Sequence, residues 1–274
     1  MCATCGCGDD SAVITLAGDG HHDHPHDHPH DHPHDHSHEH THVHTETISL
    51  EQKVLAKNDR IAEQNRAWLA ERNILALNIT SSPGAGKTTL LERTIGALAG
   101  QWAVSVIEGD QETLLDAERI RAAGAEAVQV NTGAGCHLDA EMIRRALDTL
   151  KPQPQSLLFI ENVGNLVCPA LFDLGEHSKL VVISVTEGAD KPLKYPHMFA
   201  AAGLVVLNKI DLLPYVDFDL EKFGNFVKSI NPTAEILPLS ATTGDGTAAW
   251  LDWIGLRAND NMSQRSVDKT LSRE

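Results

Sequence analysis

The sequence shows no basic stripe, no basic-then-apolar pattern near its start and no evenly paired set of cysteines, and each absence removes a class of expected function. Lysine and arginine number 22 against 38 aspartates and glutamates, a formal net charge of -16. An acidic protein without a local basic stripe is repelled by nucleic acid and by anionic lipid, so neither is an expected partner. No basic segment precedes an apolar one at the N-terminus, and the longest early apolar run, residues 12–17, is far too short to span a bilayer. The expected compartment is the cytoplasm, with no membrane span. Five cysteines is an odd number, and Cys2, Cys5 and Cys7 crowd the first seven residues. Thiolate metal ligands in a reducing compartment suit that pattern better than structural disulfides.

What is present, 274 residues with a hydrophobic fraction of 42%, suffices for one large α/β domain with appendages. Residues 1–47 are expected to form a disordered metal-binding arm. All sixteen histidines except His137, His177 and His197 fall between His21 and His44, largely as His-Asp-His-Pro repeats with almost no apolar residue. No core can form there; proline keeps such a tract extended and aspartate attracts cations. From Ile48 onward Leu50, Val54, Leu55, Ile61, Trp68 and Leu69 recur at helical spacing. Apolar runs at 74–80, 103–108, 127–130, 156–160, 179–185, 204–208 and 235–239 then read as strands buried on both faces. Helical stretches at 87–99, 112–123, 138–150 and 217–230 alternate with them. The expected fold class is therefore α/β, a mostly parallel sheet with helices on both faces over residues 48–256, and a flexible tail over 257–274.

Directly after the first of these strands stands Ser81-Ser82-Pro83-Gly84-Ala85-Gly86-Lys87-Thr88-Thr89, a Walker A loop with Ser81 in place of the first glycine. Gly84 and Gly86 let backbone N–H groups turn toward phosphates, Lys87 reaches the β and γ oxygens, and Thr88 is the expected Mg²⁺ ligand. A glycine turn capping an ordinary helix would not need the Lys-Thr pair. Asn208-Lys209-Ile210-Asp211 closes a later strand, at the carboxyl edge where open sheets bind ligands. An Asp211 carboxylate can accept from guanine N1–H and the 2-amino group, whereas adenine has no donor at N1, so GTP is favoured over ATP. Lys209 can cover the base, Asn208 can tie its loop to the P-loop, and Ser240-Ala241-Thr242 stands where a backbone N–H meets guanine O6. Two acidic strand ends, Glu108-Gly109-Asp110 and Glu161-Asn162-Val163-Gly164, compete for Mg²⁺; Asp110 and Glu161 can each bind it through water. In the second, Gly164 takes the place of the glycine that senses a γ-phosphate. No arginine is identifiable as a charge-stabilising finger.

Cys2, Cys5 and Cys7 are close enough to hold one ion, square-planar for Ni²⁺ or Cu²⁺ or tetrahedral for Zn²⁺. Within the domain, Cys136-His137 follows Gly133-Ala134-Gly135 at the expected opening of a helix, and Cys168 comes seven residues after Glu161. An ion on Cys136, His137 and Cys168 would feel the nucleotide state through that shared loop. Three ligands are fewer than a closed tetrahedral site needs, and sharing across a two-fold dimer axis would complete it. His177 and His197 stand alone and read as ordinary structural residues.

With these residues in place, residues 48–255 and the N-terminal Cys-x-x-Cys-Gly-Cys closely resemble the HypB family, nickel-incorporation GTPases of [NiFe]-hydrogenase maturation. The resemblance is carried by residues 82–89, Glu108-Gly109-Asp110-Gln111, Asn131-Thr132-Gly133, Cys136-His137-Leu138-Asp139-Ala140 and the run from Glu161 to Ala170. It implies a fold of the signal-recognition-particle and MinD type, a nucleotide- and metal-dependent homodimer, and slow GTP hydrolysis. It also implies delivery of Ni²⁺ to the hydrogenase large-subunit precursor with a small zinc-containing HypA-type partner. The tail cysteines would bind nickel, and Cys136, His137 and Cys168 zinc or nickel. Urease-activating relatives usually carry Cys-Pro-His, whereas Cys168-Pro169 is followed here by Ala170. A metal-storage protein dominated by its histidine arm is the third reading.

Overall fold

A computed structural model describes residues 13–16, 43–110, 115–133 and 135–271. Cys2, Cys5, Cys7 and the histidine tract as far as His42 lie outside the described residues, as does the proposal that they form an arm. The strands are β1 (Val13–Leu16), β2 (Leu75–Ser81), β3 (Val104–Asp110), β4 (Glu126–Asn131), β5 (Leu157–Gly164), β6 (Ser178–Ser184), β7 (Leu204–Asn208) and β8 (Glu235–Pro238). They form one sheet in the order β1-β4-β3-β5-β2-β6-β7-β8. β2 to β8 are mutually parallel, and β1 pairs antiparallel with β4 at the edge. Val13–Leu16, within the early apolar run, thus supplies an edge strand.

Consecutive strand residues point to opposite sides, and β2 to β7 are buried on both faces along their central residues. β8 departs from the expected burial: at the sheet edge with one neighbour, it leaves Glu235 and Pro238 exposed and Ile236 and Leu237 half-buried. On one face Leu75, Leu77, Ile79 and Phe159 pack with α2 (Lys87–Leu98) and with Trp250 and Trp253 of α8 (Thr247–Leu271). On the other, Ala76, Ile107, Leu158 and Ile160 pack with Leu69 of α1 (Val43–Glu71) and with Ile143 and Leu147 of α4 (Ala140–Leu150). A third cluster joins Val181, Ile183, Val205 and Leu207 to Phe199 of α6 (Pro196–Ala200) and to Phe223 and Val227 of α7 (Leu220–Ile230). α3 (Leu115–Ala122) and α5 (Lys191–Lys194) complete the fold.

Three element boundaries differ from the sequence reading. α1 begins at Val43 rather than Ile48, and α8 runs helical to Leu271, past the point where a frayed end is expected. α4 begins only at Ala140, because Asp139 caps it by accepting from the Met142 amide at 2.7 Å; Cys136-His137 therefore sit in a loop rather than opening a helix. α1 is fastened by two buried asparagines on one face. Asn58 donates to Asp173 O and accepts from the Ala140 amide, and Asn65 donates to Ala140 O and Leu174 O. No helix among the described residues is long and apolar enough to cross a membrane.

Candidate nucleotide and metal site

β2 lies between β5 and β6, and the chain leaves it toward β3 on one side, while β5 returns to β6 on the other. Such a switch point opens a crevice at the carboxyl ends of the strands. A cleft of about 560 Å³ occupies it, lined by the P-loop from Pro83 to Thr89 without Ala85, by the ends of β3 and β5, and by Lys209. The loop conformation explains which glycines are needed. Gly84 and Gly86 have φ of 75° and 97°, and a Cβ on Gly86 would lie 2.5 Å from Asn208 Nδ2. Ser81 has no positive φ, so serine is tolerated at the position of the first glycine. Its hydroxyl instead accepts from Lys87 Nζ at 2.8 Å.

Asn208 does tie its loop to the P-loop. Its Nδ2 donates to Ala85 O at 2.8 Å, and its Oδ1 accepts from the Lys209 and Ala241 amides. Lys209 Nζ donates to Gly84 O, and Lys191 Nζ donates to the Ser82 hydroxyl. Asp211 sits in the turn Ile210–Tyr215, and its Oδ1 is buried with no hydrogen-bond partner. The Ser240 and Ala241 amides, placed by sequence beside guanine O6, already donate to Asp245 O and Asn208 Oδ1.

Glu108 to Asp110 and Glu161 to Gly164 belong to the strand ends themselves. Thr88 Oγ1 donates to Glu161 Oε1 at 2.8 Å, while Glu161 Oε2 and Glu108 Oε2 are buried without a partner. Burial pushes Glu161 up to about 7, against Lys87 and the Thr88 hydroxyl. Burial, helped by the Glu161 charge, pushes Glu108 up to about 8. Burial also holds the Lys87 ammonium below its ordinary value, against Glu161. Unsatisfied carboxylate oxygens beside a P-loop threonine are the donor set a hard dication takes.

The two raised carboxyls make a stability prediction. The folded protein keeps protons that the unfolded chain has lost between about pH 5 and 8, so unfolding free energy falls as pH rises, by up to ~1.4 kcal/mol per pH unit per group. The thermal midpoint of the ligand-free protein is expected to drop across that window, and Glu108→Gln to flatten the slope. His137 and His177, both held below the ordinary imidazole value by desolvation, act in the opposite direction, so the difference between the two proteins decides: identical slopes would show that Glu108 titrates normally.

The second site lies beyond the end of β5. Cys136, His137 and Cys168 bring one ligand atom each within 4.8 Å of one another. The Cys136 and Cys168 sulfurs are 2.9 Å apart, longer than a disulfide bond of about 2.05 Å, and must spread slightly to share an ion at about 2.3 Å each. His137 is buried against the Phe172 ring, with centroids 4.0 Å apart, and burial lowers its pKa, favouring the neutral imidazole that ligates metals.

Sequence reasoning missed Asp116 and Arg119, which also line the cleft. Arg119 is held by Glu92 at 2.7 Å and Asp116 at 2.9 Å. Their three-residue spacing within the expected helix 112–123 places both on one face, and that was the available signal. Lys191, remote in sequence from the P-loop, left no such signal.

A Walker A loop between a strand and a helix, at the switch point of a parallel sheet, defines a P-loop nucleotide-binding protein. Residues 75–238 match the family model described as the CobW/HypB/UreG nucleotide-binding domain. The hydrogenase maturation factor HypB of Escherichia coli K12 is 58% identical over 207 residues, 76% of this chain and 71% of that protein. A probable hydrogenase maturation factor HypB of Methanocaldococcus jannaschii is 43% identical, over 76% of this chain and 94% of its own length. The crystal structure of HypB from Helicobacter pylori in complex with nickel aligns with a TM-score of 0.71 at 36% identity, covering 75% of this chain and 96% of that one. The chain belongs to the HypB family of hydrogenase maturation factors.

Proposed function

We propose that the protein is a GTP-hydrolysing nickel metallochaperone that delivers Ni²⁺ to the large-subunit precursor of a [NiFe]-hydrogenase, with release coupled to hydrolysis and to homodimerisation. One observation carries the reading. The segment from Glu161 to Cys168 starts at the Thr88 hydroxyl, passes so close to the P-loop that a Cβ on Gly164 would lie 3.1 Å from Pro83 Cα, and ends in a sulfur of the metal cluster. Whatever the γ-phosphate does to Gly164 is therefore felt four residues later by a ligand.

Residues take these roles. The amides around Gly84, Ala85 and Gly86, with Lys87 and Thr89, bind the phosphates, and Ser82 closes the loop. Asp211 reads guanine, with Lys209 on the base and Asn208, Ser240 and Ala241 shaping the pocket. Thr88 and Glu161, with Asp110 nearby, would hold Mg²⁺, which when bound neutralises charge on the β and γ oxygens. Attack of water breaks the bond between Pγ and its bridging oxygen, giving GDP and phosphate. Cys136, His137 and Cys168 take Ni²⁺ or Zn²⁺, and Cys2, Cys5 and Cys7 with the histidine tract gather nickel on a 1–47 arm ahead of the 48–256 GTPase domain and the 257–274 tail. A HypA-type zinc/nickel protein is the expected accessory, and the cytoplasm the expected location. The relative crystallised with nickel supports the choice of cargo.

Coupling must be reciprocal: if GTP changes nickel affinity, nickel changes GTP affinity by the same factor. Nickel affinity, stoichiometry and oligomer mass measured side by side in GDP and in a nonhydrolysable GTP analogue test this. Different affinities are expected; identical affinities and masses in the two states would remove the mechanism.

A further inference from the structure

Cys168 reaches the cleft through its own backbone, but Cys136 and His137 lie on another loop, 32 residues away from Cys168 in sequence. Something must bind the two halves of the metal site together for nucleotide state to act on both. Two side-chain amides of the phosphate-facing segment do so, on either side of His137. Asn162 Oδ1 accepts from the Leu138 amide at 3.3 Å and from the Val163 amide at 3.0 Å. Asn165 Nδ2 donates to Cys136 O at 3.0 Å, while its Oδ1 accepts from the Val167 amide at 2.9 Å. The residue before His137 and the residue after it are thus both held by the stretch that contains Gly164.

The far end of that stretch is anchored. Buried Lys179, on β6, donates to Pro169 O at 2.7 Å and to Phe172 O at 3.0 Å, and lies 3.8 Å from Glu176. Glu176 accepts from Asn78 Nδ2, and Asn78 Oδ1 accepts from Asn162. Phe172, fixed in this way, is the ring on which His137 packs. The segment is thus held on both sides of Gly164, at Asn162 and at Pro169, and the two asparagine amides join it to the Cys136–His137 loop.

We propose that Asn162 and Asn165 are positioning residues that fasten the Cys136–His137 loop to the phosphate-facing segment, so that both halves of the metal site shift together with nucleotide state. This deepens the metallochaperone reading and rests on it. Neither asparagine needs to touch metal.

The test uses Asn165→Asp in the full chain, an isosteric change that replaces the donor to Cys136 O with an acceptor. Peptide-resolved alkylation of Cys136 and Cys168 in chelator-buffered Ni²⁺ reports nickel at this site alone, apart from the N-terminal cysteines and histidines. The readout is the ratio of nickel affinities in GDP and in a nonhydrolysable GTP analogue, with analogue affinity measured separately in nickel-free buffer that contains Mg²⁺. The wild-type ratio is expected to differ from one, and Asn165→Asp to move it toward one by roughly 2–30-fold, the range of mutational effects on coupling. Analogue affinity without nickel should stay within about twofold, because Asn165 does not line the cleft. A purely structural role would weaken nickel binding equally in both nucleotide states and leave the ratio unchanged, which overturns the inference but spares the metallochaperone reading. A wild-type ratio of one removes both. Should the variant fail to fold, hydrogen exchange of the wild-type Leu138 amide decides: protection that changes between the two nucleotides supports the link, and equal protection refutes it.

Discussion

Asp211→Asn is expected to lower GTP affinity by roughly 10²–10⁴-fold and to shift base preference toward xanthosine triphosphate. The Asp211 Oδ1 atom is buried and has no hydrogen-bond partner in the fold, an arrangement that costs free energy unless a ligand supplies donors. Guanine supplies two, at N1 and at the 2-amino group. Hydrogen bonds to a charged acceptor contribute ~1.5–3 kcal/mol each, so the pair is worth ~3–6 kcal/mol, two to four decades of affinity. A carboxamide turns one acceptor into a donor that faces a donor, whereas xanthine carries a carbonyl at C2 and accepts from it. Competition against a fluorescent nucleotide with GTP, ATP and xanthosine triphosphate reads the change. If Asp211→Asn kept the wild-type preference of GTP over both rivals, the guanine reading of this loop would be wrong.

The parts of the molecule legible in the sequence are those in which neighbours along the chain are also neighbours in space. Strands β2 to β7 were legible because burial on both faces writes unbroken apolar runs such as Leu157–Ile160, fully buried in the fold, and β8 shows as a short apolar run although its edge position leaves it partly exposed. The P-loop was legible for a related reason, since phosphate binding uses consecutive backbone amides. Contacts that join distant residues leave no local trace. Nothing near Asn58 or Asn65 announces that they grip carbonyls more than seventy residues away, and nothing at Lys179 announces that it holds Pro169 and Phe172. The edge strand at Val13–Leu16 is too short to show a period and gains its identity only from its partner, residues 128–131 of β4. The misplaced helix start at Cys136-His137 has a local cause that could have been seen: Asp139 is a better N-cap than anything before it. The serine in place of the first P-loop glycine makes a contact that the motif alone does not announce, because the Ser81 hydroxyl holds the Lys87 ammonium.

Cys168→Ala should strip the internal site of metal while leaving GTP in place, and this separation makes it the sharpest test of the coupled cycle. Among the described residues Cys136, His137 and Cys168 form the one such ligand group, so the variant keeps two ligands of the four that Zn²⁺ favours. Changing a residue that merely supports a metal ligand costs 10–100-fold in affinity, and removing a ligand outright should cost at least ~100-fold. Cys168 does not line the nucleotide cleft, so GTP affinity measured without nickel should match the wild type. The informative quantity is the effect of nickel on GTP affinity, which reciprocity ties to the effect of GTP on nickel. In the wild type, nickel at this site should shift the GTP titration; in Cys168→Ala the same nickel concentration should leave it unmoved, although the N-terminal cysteines and histidines still bind the ion. A shift that survives the substitution would mean that nickel acts on the nucleotide from elsewhere in the chain, and that the path from Gly164 to Cys168 carries no signal.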